Sequence, residues 1–208
     1  TYMRTDGVQL SSQAIEELRN EISNRHGKSY IPDNPRVYKS KAANAQEAHE
    51  AIRPTDIARD PESISNYLDA EQLKLYDLIW KRTISSQMQS AELDETAADI
   101  SSKDQSITFR ANGSQVIFPG FFRAYVEGTD DPQEALDDRN QPLPRLVEGN
   151  TIQCIQLDPI SHETKPPARY TEASLVKSLE AEGIGRPSTY ASIINTIQQR
   201  GYVMGKNK

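Results

Sequence analysis

The spacing of apolar residues changes twice along the 208-residue chain, and this order constrains the fold most strongly. Residues 8–27 and 69–89 place apolar side chains at helical spacing, and helical spacing returns after residue 171. Between these stretches lie short β-prone segments, at 96–101, 106–110, 115–118, 121–126 and 151–157. Helices, then strands, then helices indicate an α+β fold built of separate pieces.

Capping residues mark the ends of the two N-terminal helices. Ser11 or Ser12 is expected to cap the first helix, and Gly27 is expected to end it. Asp69 and Gln72 form a capping-box pattern at the start of the longest helix. These signals fix both helices within a few residues.

Shorter local signals predict a third helix, a turn and two further helix caps. Gln46–Arg53 is predicted as a short helix that ends at Pro54, because proline disfavours helical geometry at the residue before it. Asn112 and Gly113 predict a hairpin turn over residues 111–114, because both tolerate positive φ. Thr171 and Ser188 are expected to cap two C-terminal helices.

Composition excludes several classes of protein. The single cysteine, Cys154, rules out an internal disulfide framework and a four-cysteine zinc module within the sequence. No apolar run approaches the roughly 20 residues that span a bilayer, and no signal peptide is visible. These features predict a cytoplasmic protein with no membrane partner. Because the sequence begins at Thr1 rather than Met, we expect it to be a piece of a larger protein.

Charge is distributed unevenly along the chain. Residues 1–55 carry 8 basic and 7 acidic side chains, residues 56–164 carry 9 and 20, and residues 165–208 carry 7 and 3. Because Lys and Arg drive phosphate binding, nucleic acid should contact the two ends rather than the acidic middle. The alternative is that the acidic middle is only a solvated surface, and charge alone favours this alternative.

The first chemical cluster is Tyr2, Arg4 and Asp6. A phenol attacks a phosphodiester only with help from a neighbouring cation, and Arg4 shares a face with Tyr2 if the segment is extended. Asp6 could then orient the arginine. Residue types alone leave open a surface strand that merely contains these side chains.

The second cluster surrounds His49. A zinc hydrolase motif would require a second histidine at position 53, where this sequence has Arg53, so zinc is excluded. On the predicted helix, His49 and Arg53 lie four residues apart on one face, with Glu50 nearby, and suit a phosphate. A cluster of capping and ion-pair interactions explains the same residues.

The third cluster lies at two predicted helix N-termini, each of which has an arginine and a hydroxyl. Its residues are Arg169, Thr171, Arg186 and Ser188. Such N-termini bind phosphate, and Tyr170 and Tyr190 offer surfaces on which unpaired bases stack. A packed helical hairpin and a DNA-reading helix-turn-helix remain alternatives.

Together the clusters resemble type IA DNA topoisomerases. The resemblance rests on Thr-Tyr-Met-Arg-Thr-Asp at 1–6, Gln-Glu-Ala-His-Glu-Ala-Ile-Arg-Pro-Thr at 46–55, Ala-Arg-Tyr-Thr-Glu-Ala-Ser-Leu-Val at 168–176 and Gly-Ile-Gly-Arg-Pro-Ser-Thr-Tyr at 183–190. The motifs stand in family order and run to about Val203. Met3, which follows the tyrosine, resembles the residue of bacterial topoisomerase I at this position, whereas topoisomerase III usually has proline there. A decatenase of the topoisomerase III type remains an alternative.

The resemblance implies a role for each motif. Tyr2 would cleave one DNA strand and hold its 5′-phosphate as a phosphotyrosine, and Arg4 would position that phosphate. Asp6, His49 and Arg53 would contact DNA near the break. The four residues of the third cluster would line a groove for single-stranded DNA. One strand would pass through the gap, relaxing negative supercoils without ATP.

The resemblance also implies domains and a cofactor. Residues 1–90 would be the helical domain with the tyrosine, 91–163 a β-rich hinge or arch, and 164–208 part of a helical base domain. Mg²⁺ would be supplied by a Toprim domain that precedes Thr1, a partner within the same polypeptide. The piece alone is therefore expected to be inactive, and the intact protein to act on the DNA of the bacterial nucleoid.

One position departs from the family. Type IA enzymes usually have serine where this chain has Gly7, so a hydroxyl is lost and the backbone is expected to be looser. Two other classes remain open: a non-catalytic scaffold that holds single-stranded DNA, and a helix-turn-helix transcription factor.

Overall fold

The computed structural model describes residues 1–5, 7–38, 49–126, 136–137 and 139–204, which form two compact units. Unit 1 comprises Thr1–Tyr2, Leu10–Val37 and Arg53–Gln153, and unit 2 comprises Met3–Gln9, Tyr38–Ile52 and Cys154–Lys208. The chain therefore passes between units inside both N-terminal motifs. The boundaries at 1–90, 91–163 and 164–208 stay a prediction.

Helix α1 of unit 1 spans Ser12–His26 and confirms the first predicted helix. The Ser11 side chain accepts a hydrogen bond from the backbone N–H of Ala14 at 3.3 Å. Gly27 ends the helix with a φ of 94°, a conformation in which glycine carries no Cβ penalty. The buried face of α1 consists of Ala14, Leu18 and Ile22.

Helix α2 spans Ala70–Ser86 and begins with the predicted capping box of Asp69 and Gln72. Its buried residues Trp80 and Ile84 belong to the same core as Leu18 and Ile22 of α1. Trp80 is buried, and its indole Nε1 donates to the carbonyl oxygen of Ile57 at 2.9 Å. The core of unit 1 consists of Leu18, Ile22, Ile57, Trp80, Ile84, Met88 and Ala124.

Strands β1, Glu92–Ser101, and β2, Thr108–Phe118, form an antiparallel hairpin. The predicted turn at 111–114 is wrong, because these residues lie within β2 and Gly113 pairs with Thr96. The chain turns instead at 102–107, where the Asp104 carboxylate accepts hydrogen bonds from the Ser102 and Ser106 hydroxyls. These bonds hold the pKa of Asp104 at about 2.

Two further strand predictions are wrong. Gly120–Arg123 forms a 3₁₀ helix where a strand was expected at 121–126, because the chain enters helical geometry at Pro119. Residues 151–157 have no regular structure, and among the described residues no strand pairs with them.

Unit 2 ends in a pair of helices that contact each other, α3 over Glu172–Ala181 and α4 over Tyr190–Gln199. Thr171 caps α3 as predicted. The prediction for Ser188 is wrong, because Thr189 occupies the N-cap of α4 and its hydroxyl bonds back to Arg186. Among the described residues, no helix has the length and apolarity to cross a membrane.

Candidate functional site

In unit 1, Tyr2 pairs with Arg53. The Tyr2 backbone N–H donates to the Arg53 carbonyl oxygen at 2.8 Å, and the Arg53 N–H donates to the Tyr2 carbonyl oxygen at 3.2 Å. The guanidinium carbon of Arg53 lies 5.8 Å from the centre of the Tyr2 ring. A cation at this distance is attracted to the ring face. The half-buried tyrosine is therefore held by two backbone bonds with a positive charge beside it.

The helix predicted at Gln46–Arg53 is wrong over its described part. Residues 46–48 lie outside the described residues, and residues 49–53 are not helical. Two backbone pairings hold this segment instead, Glu50 with Gln9 and Arg53 with Tyr2. Pro54 also favours extended geometry at Arg53, because proline disfavours helical geometry at the residue before it. His49 and Arg53 therefore do not share a helical face.

The segment after Arg53 is anchored through Asp60. Its carboxylate accepts hydrogen bonds from the Ser63 backbone N–H and from the Arg25 guanidinium, both at 2.7 Å. The hydrogen bond from the Ser63 N–H lowers the pKa of the Asp60 carboxyl most, and the bond from Arg25 lowers it further. The Arg25 guanidinium also lies 5.0 Å from the Trp80 ring. This anchor ties residues 53–60 to the core of unit 1.

In unit 2, Arg4 binds His49. The Arg4 Nη2 donates to the His49 Nε2 at 2.8 Å, because a guanidinium carries donors only. Arg4 is exposed and His49 is half-buried. The arginine thus presents its charge to solvent while the imidazole fixes its orientation.

A short backbone pairing holds His49 in this place. Gln9 pairs with Glu50 in parallel, and the Ala51 N–H donates to the Gln9 carbonyl oxygen at 2.7 Å. The sequence did not predict this pairing, because no local pattern signals contact between segments about forty residues apart. Asp6, predicted beside Arg4, lies outside the described residues.

The candidates of the third cluster, Arg169, Thr171, Arg186 and Ser188, are all exposed in unit 2. The Thr171 hydroxyl accepts a hydrogen bond from the Ser174 N–H at 3.1 Å, so it first serves the helix cap. The backbone N–H of Arg186 donates to the Thr189 hydroxyl at 2.9 Å. Arg169 precedes the N-cap of α3 by two residues, and Arg186 precedes the N-cap of α4 by three, so both lie outside the helices.

These side chains suit phosphate chemistry rather than metal chemistry. A phenol supplies a nucleophile, and guanidinium and imidazole groups bind phosphate oxygens. Within the described ranges, no three His, Cys, Asp or Glu side chains come together as a metal-binding group. This part of the chain does not fit a Mg²⁺ site.

Comparison with known proteins gives consistent matches. A family model described as DNA topoisomerase matches residues 1–208. DNA topoisomerase 1 of Synechococcus elongatus is 56% identical over 203 residues, which cover 97% of this chain and 22% of that protein. DNA topoisomerase 1 of Rickettsia felis is 49% identical over 208 residues, which cover 100% of this chain and 26% of that protein.

A solved structure of a topoisomerase I is similar over almost the whole chain. Full-length topoisomerase I from Thermotoga maritima superimposes with a TM-score of 0.81 and 37% identity, over 99% of this chain and 31% of that one. The chain spans about a quarter of the length of the curated relatives it matches.

Proposed function

Because this chain belongs to the DNA topoisomerase family, the type IA enzymes that its motifs resemble, we propose that it carries the strand-cleaving tyrosine of such an enzyme. The observation that carries the proposal is the position of Tyr2, whose ring lies beside the Arg53 guanidinium within the matched region. The activity proposed is that of the intact protein, of which this chain is a part.

The proposed reaction exchanges one phosphodiester for another. The Tyr2 phenol oxygen attacks a DNA phosphorus, and the bond from that phosphorus to the 3′-oxygen breaks. The phenol proton is lost, and the departing 3′-oxygen takes up a proton. The strand keeps its 5′-phosphate as a phosphotyrosine, so the reverse attack by the 3′-hydroxyl reseals it without ATP.

Cations of the matched motifs are proposed to act on charge in this step. Arg4 binds the non-bridging oxygens of the phosphate, whose charge rises in the transition state. His49 is a positioning residue, since it holds the Arg4 guanidinium at 2.8 Å. Arg53 places a positive charge 5.8 Å from the centre of the Tyr2 ring, beside the group that attacks. Asp6 is expected to assist in DNA contact.

The third cluster is proposed to hold the single strand. Arg169 and Arg186 would neutralise phosphates, and Thr171 and Ser188 would donate hydroxyl hydrogen bonds to them. Their exposure leaves them accessible to a strand. Passage of the second strand through the gap would relax negative supercoils.

We also propose that Mg²⁺ would be held by a Toprim part of the same polypeptide, which the resemblance to type IA enzymes supports. Metal ions in such sites neutralise charge on the reacting phosphate. We accordingly expect the 208 residues alone not to relax plasmid DNA, and we place the intact protein on the chromosome in the bacterial cytoplasm.

Covalent trapping tests this function. The intact protein is incubated with labelled single-stranded DNA and Mg²⁺ and then denatured in SDS. Wild type should give a DNA–protein adduct. Tyr2→Phe should give none while binding DNA with unchanged affinity, because phenylalanine keeps the ring beside Arg53 and loses only the attacking oxygen. An adduct that survives in Tyr2→Phe would place the nucleophile elsewhere, and no wild-type adduct with intact binding would favour the scaffold.

A further inference from the structure

We propose that Trp80 is a positioning residue for strand cleavage. Its indole N–H holds the segment 53–60, and the first residue of that segment, Arg53, places its guanidinium beside the Tyr2 ring. The inference rests on the proposed function of Tyr2 as the nucleophile. All the residues that it involves belong to unit 1.

Helix α2 presents two side-chain donors to the segment 53–60. The Trp80 Nε1 donates to the Ile57 carbonyl oxygen at 2.9 Å, and the Tyr76 hydroxyl donates to the Arg59 carbonyl oxygen at 2.6 Å. Tyr76 and Trp80 are four residues apart and therefore share one face of the helix. Residues 54–60 form turns and bends rather than a helix or a strand, so their place depends on such side-chain bonds.

The bond from Trp80 is the one that is shielded from water. Trp80 is 7% exposed and Ile57 is 8% exposed, and both belong to the core of unit 1. The bond from Tyr76 is exposed, so water can replace it. A buried carbonyl that loses its donor stays unpaired, which is costly, unless the backbone that carries it moves. Removal of the indole N–H should therefore displace the segment at Ile57.

Only four residues separate Ile57 from the side of the nucleophile. Pro54 between them is buried, and its ring fixes its own φ. The Arg53 Nη1 donates to the Pro54 carbonyl oxygen at 3.0 Å, so the guanidinium is bound to the segment itself. The same Arg53 lies 5.8 Å from the Tyr2 ring centre and forms two backbone bonds with Tyr2. A displacement at Ile57 is thus passed to the guanidinium beside the attacking group.

Single-turnover cleavage by the intact protein tests this inference. Trp80→Phe keeps an aromatic ring in the core and removes the N–H. At saturating labelled single-stranded DNA it should lower the rate of adduct formation by about 10- to 100-fold, because a misplacement of about 1 Å costs up to about 100-fold. Affinity for the DNA should stay unchanged, because the arginines proposed to hold the strand, Arg169 and Arg186, belong to unit 2.

Gln87→Met is the matched control. Gln87 is also buried on α2, and its amide donates to the Arg36 carbonyl oxygen at 3.0 Å, which lies outside the segment 53–60. The substitution should lower the melting temperature as Trp80→Phe does and leave the cleavage rate at the wild-type value. Rates are compared below the melting temperature of each variant. An equal loss of rate in Gln87→Met would show general damage and overturn the proposal.

A double-mutant cycle tests whether Trp80 acts through Arg53. If it does, Trp80→Phe should lower the rate little further in an Arg53→Ala protein, and losses that multiply fully would overturn the proposal. Tyr76→Phe removes the exposed donor without a change in the core, so it should fold and give a smaller loss of rate. A wild-type rate in Trp80→Phe, or in Tyr76→Phe if the first variant does not fold, would also overturn it. Failure of the proposed function is distinct, since the wild type itself would then give no adduct.

Discussion

His26 is half-buried at the C-terminal end of α1, and the centre of its ring lies 5.6 Å from the centre of the Tyr30 ring. Burial lowers its pKa below the ordinary 6.5, and the positive charges of Arg123 and Arg25 lower the pKa further against the opposing effect of Glu21. The unfolded chain therefore binds the proton more tightly than the folded chain. The free energy of unfolding should fall as pH drops from above 6.5 through the lower pKa of the folded state.

The melting temperature tests this expectation. Between pH 7.5 and pH 5, wild type should lose more thermal stability than His26→Gln, which keeps a polar side chain of similar size but does not titrate. Equal losses in the two proteins would show that other groups cause the pH dependence.

The sequence predicted side chains whose types suit the site but paired them wrongly. It placed His49 with Arg53 on one helical face, whereas the structure pairs His49 with Arg4 and Arg53 with Tyr2. The true partners lie 45 and 51 residues away along the chain. Local spacing carries no information about such distant pairing, so the types could be predicted and the contacts could not. The roles of these residues stay predictions.

The two N-terminal helices were predicted well because their signals are local, whereas the helix predicted at Gln46–Arg53 was wrong over its described part. The Ser11 cap and the Asp69–Gln72 box act within three residues, and the structure has both. The strands were predicted less well. Asn112 and Gly113 indicated a turn, but Gly113 lies within β2 where the backbone of Leu143 comes close. A glycine needed for space and one needed for positive φ look the same in sequence.

A buried glutamine at the end of α2 gives a prediction at this scale. The Gln87 amide donates to the carbonyl oxygen of Arg36 at 3.0 Å and accepts from the Arg36 N–H at 3.1 Å. Gln87→Glu keeps the shape but removes the donor and introduces a buried charge. It should lower the free energy of unfolding by about 1–3 kcal/mol or more.

The same substitution at Gln72 is the control. Its side-chain oxygen accepts from the Asp69 N–H at 3.2 Å, and a carboxylate accepts equally well in a capping box. Gln72→Glu should therefore change stability by less than about 0.5 kcal/mol. Thermal or urea unfolding of both variants measures the difference, and an equal loss at the two positions would contradict the assigned role of the Gln87 amide.

The two units carry formal charges of opposite sign. Unit 1 has a formal charge of −8 and unit 2 a formal charge of +2, within the total of −6. The exposed arginines of the third cluster belong to unit 2. DNA that binds mainly through phosphate contacts should therefore owe most of its affinity to unit 2.

Salt dependence tests this distribution of charge. The logarithm of affinity for single-stranded DNA falls with the logarithm of salt concentration, by about 0.7 for each phosphate neutralised. Arg169→Ala and Arg186→Ala should each weaken binding and reduce this slope by about 0.7. Arg110→Ala removes the same charge from unit 1, where the Asp99 carboxylate binds that guanidinium at 2.7 and 2.8 Å, so its slope should stay at the wild-type value. If all three variants reduced the slope equally, net charge rather than specific phosphate contact would govern binding, and the groove proposed for the third cluster would be wrong.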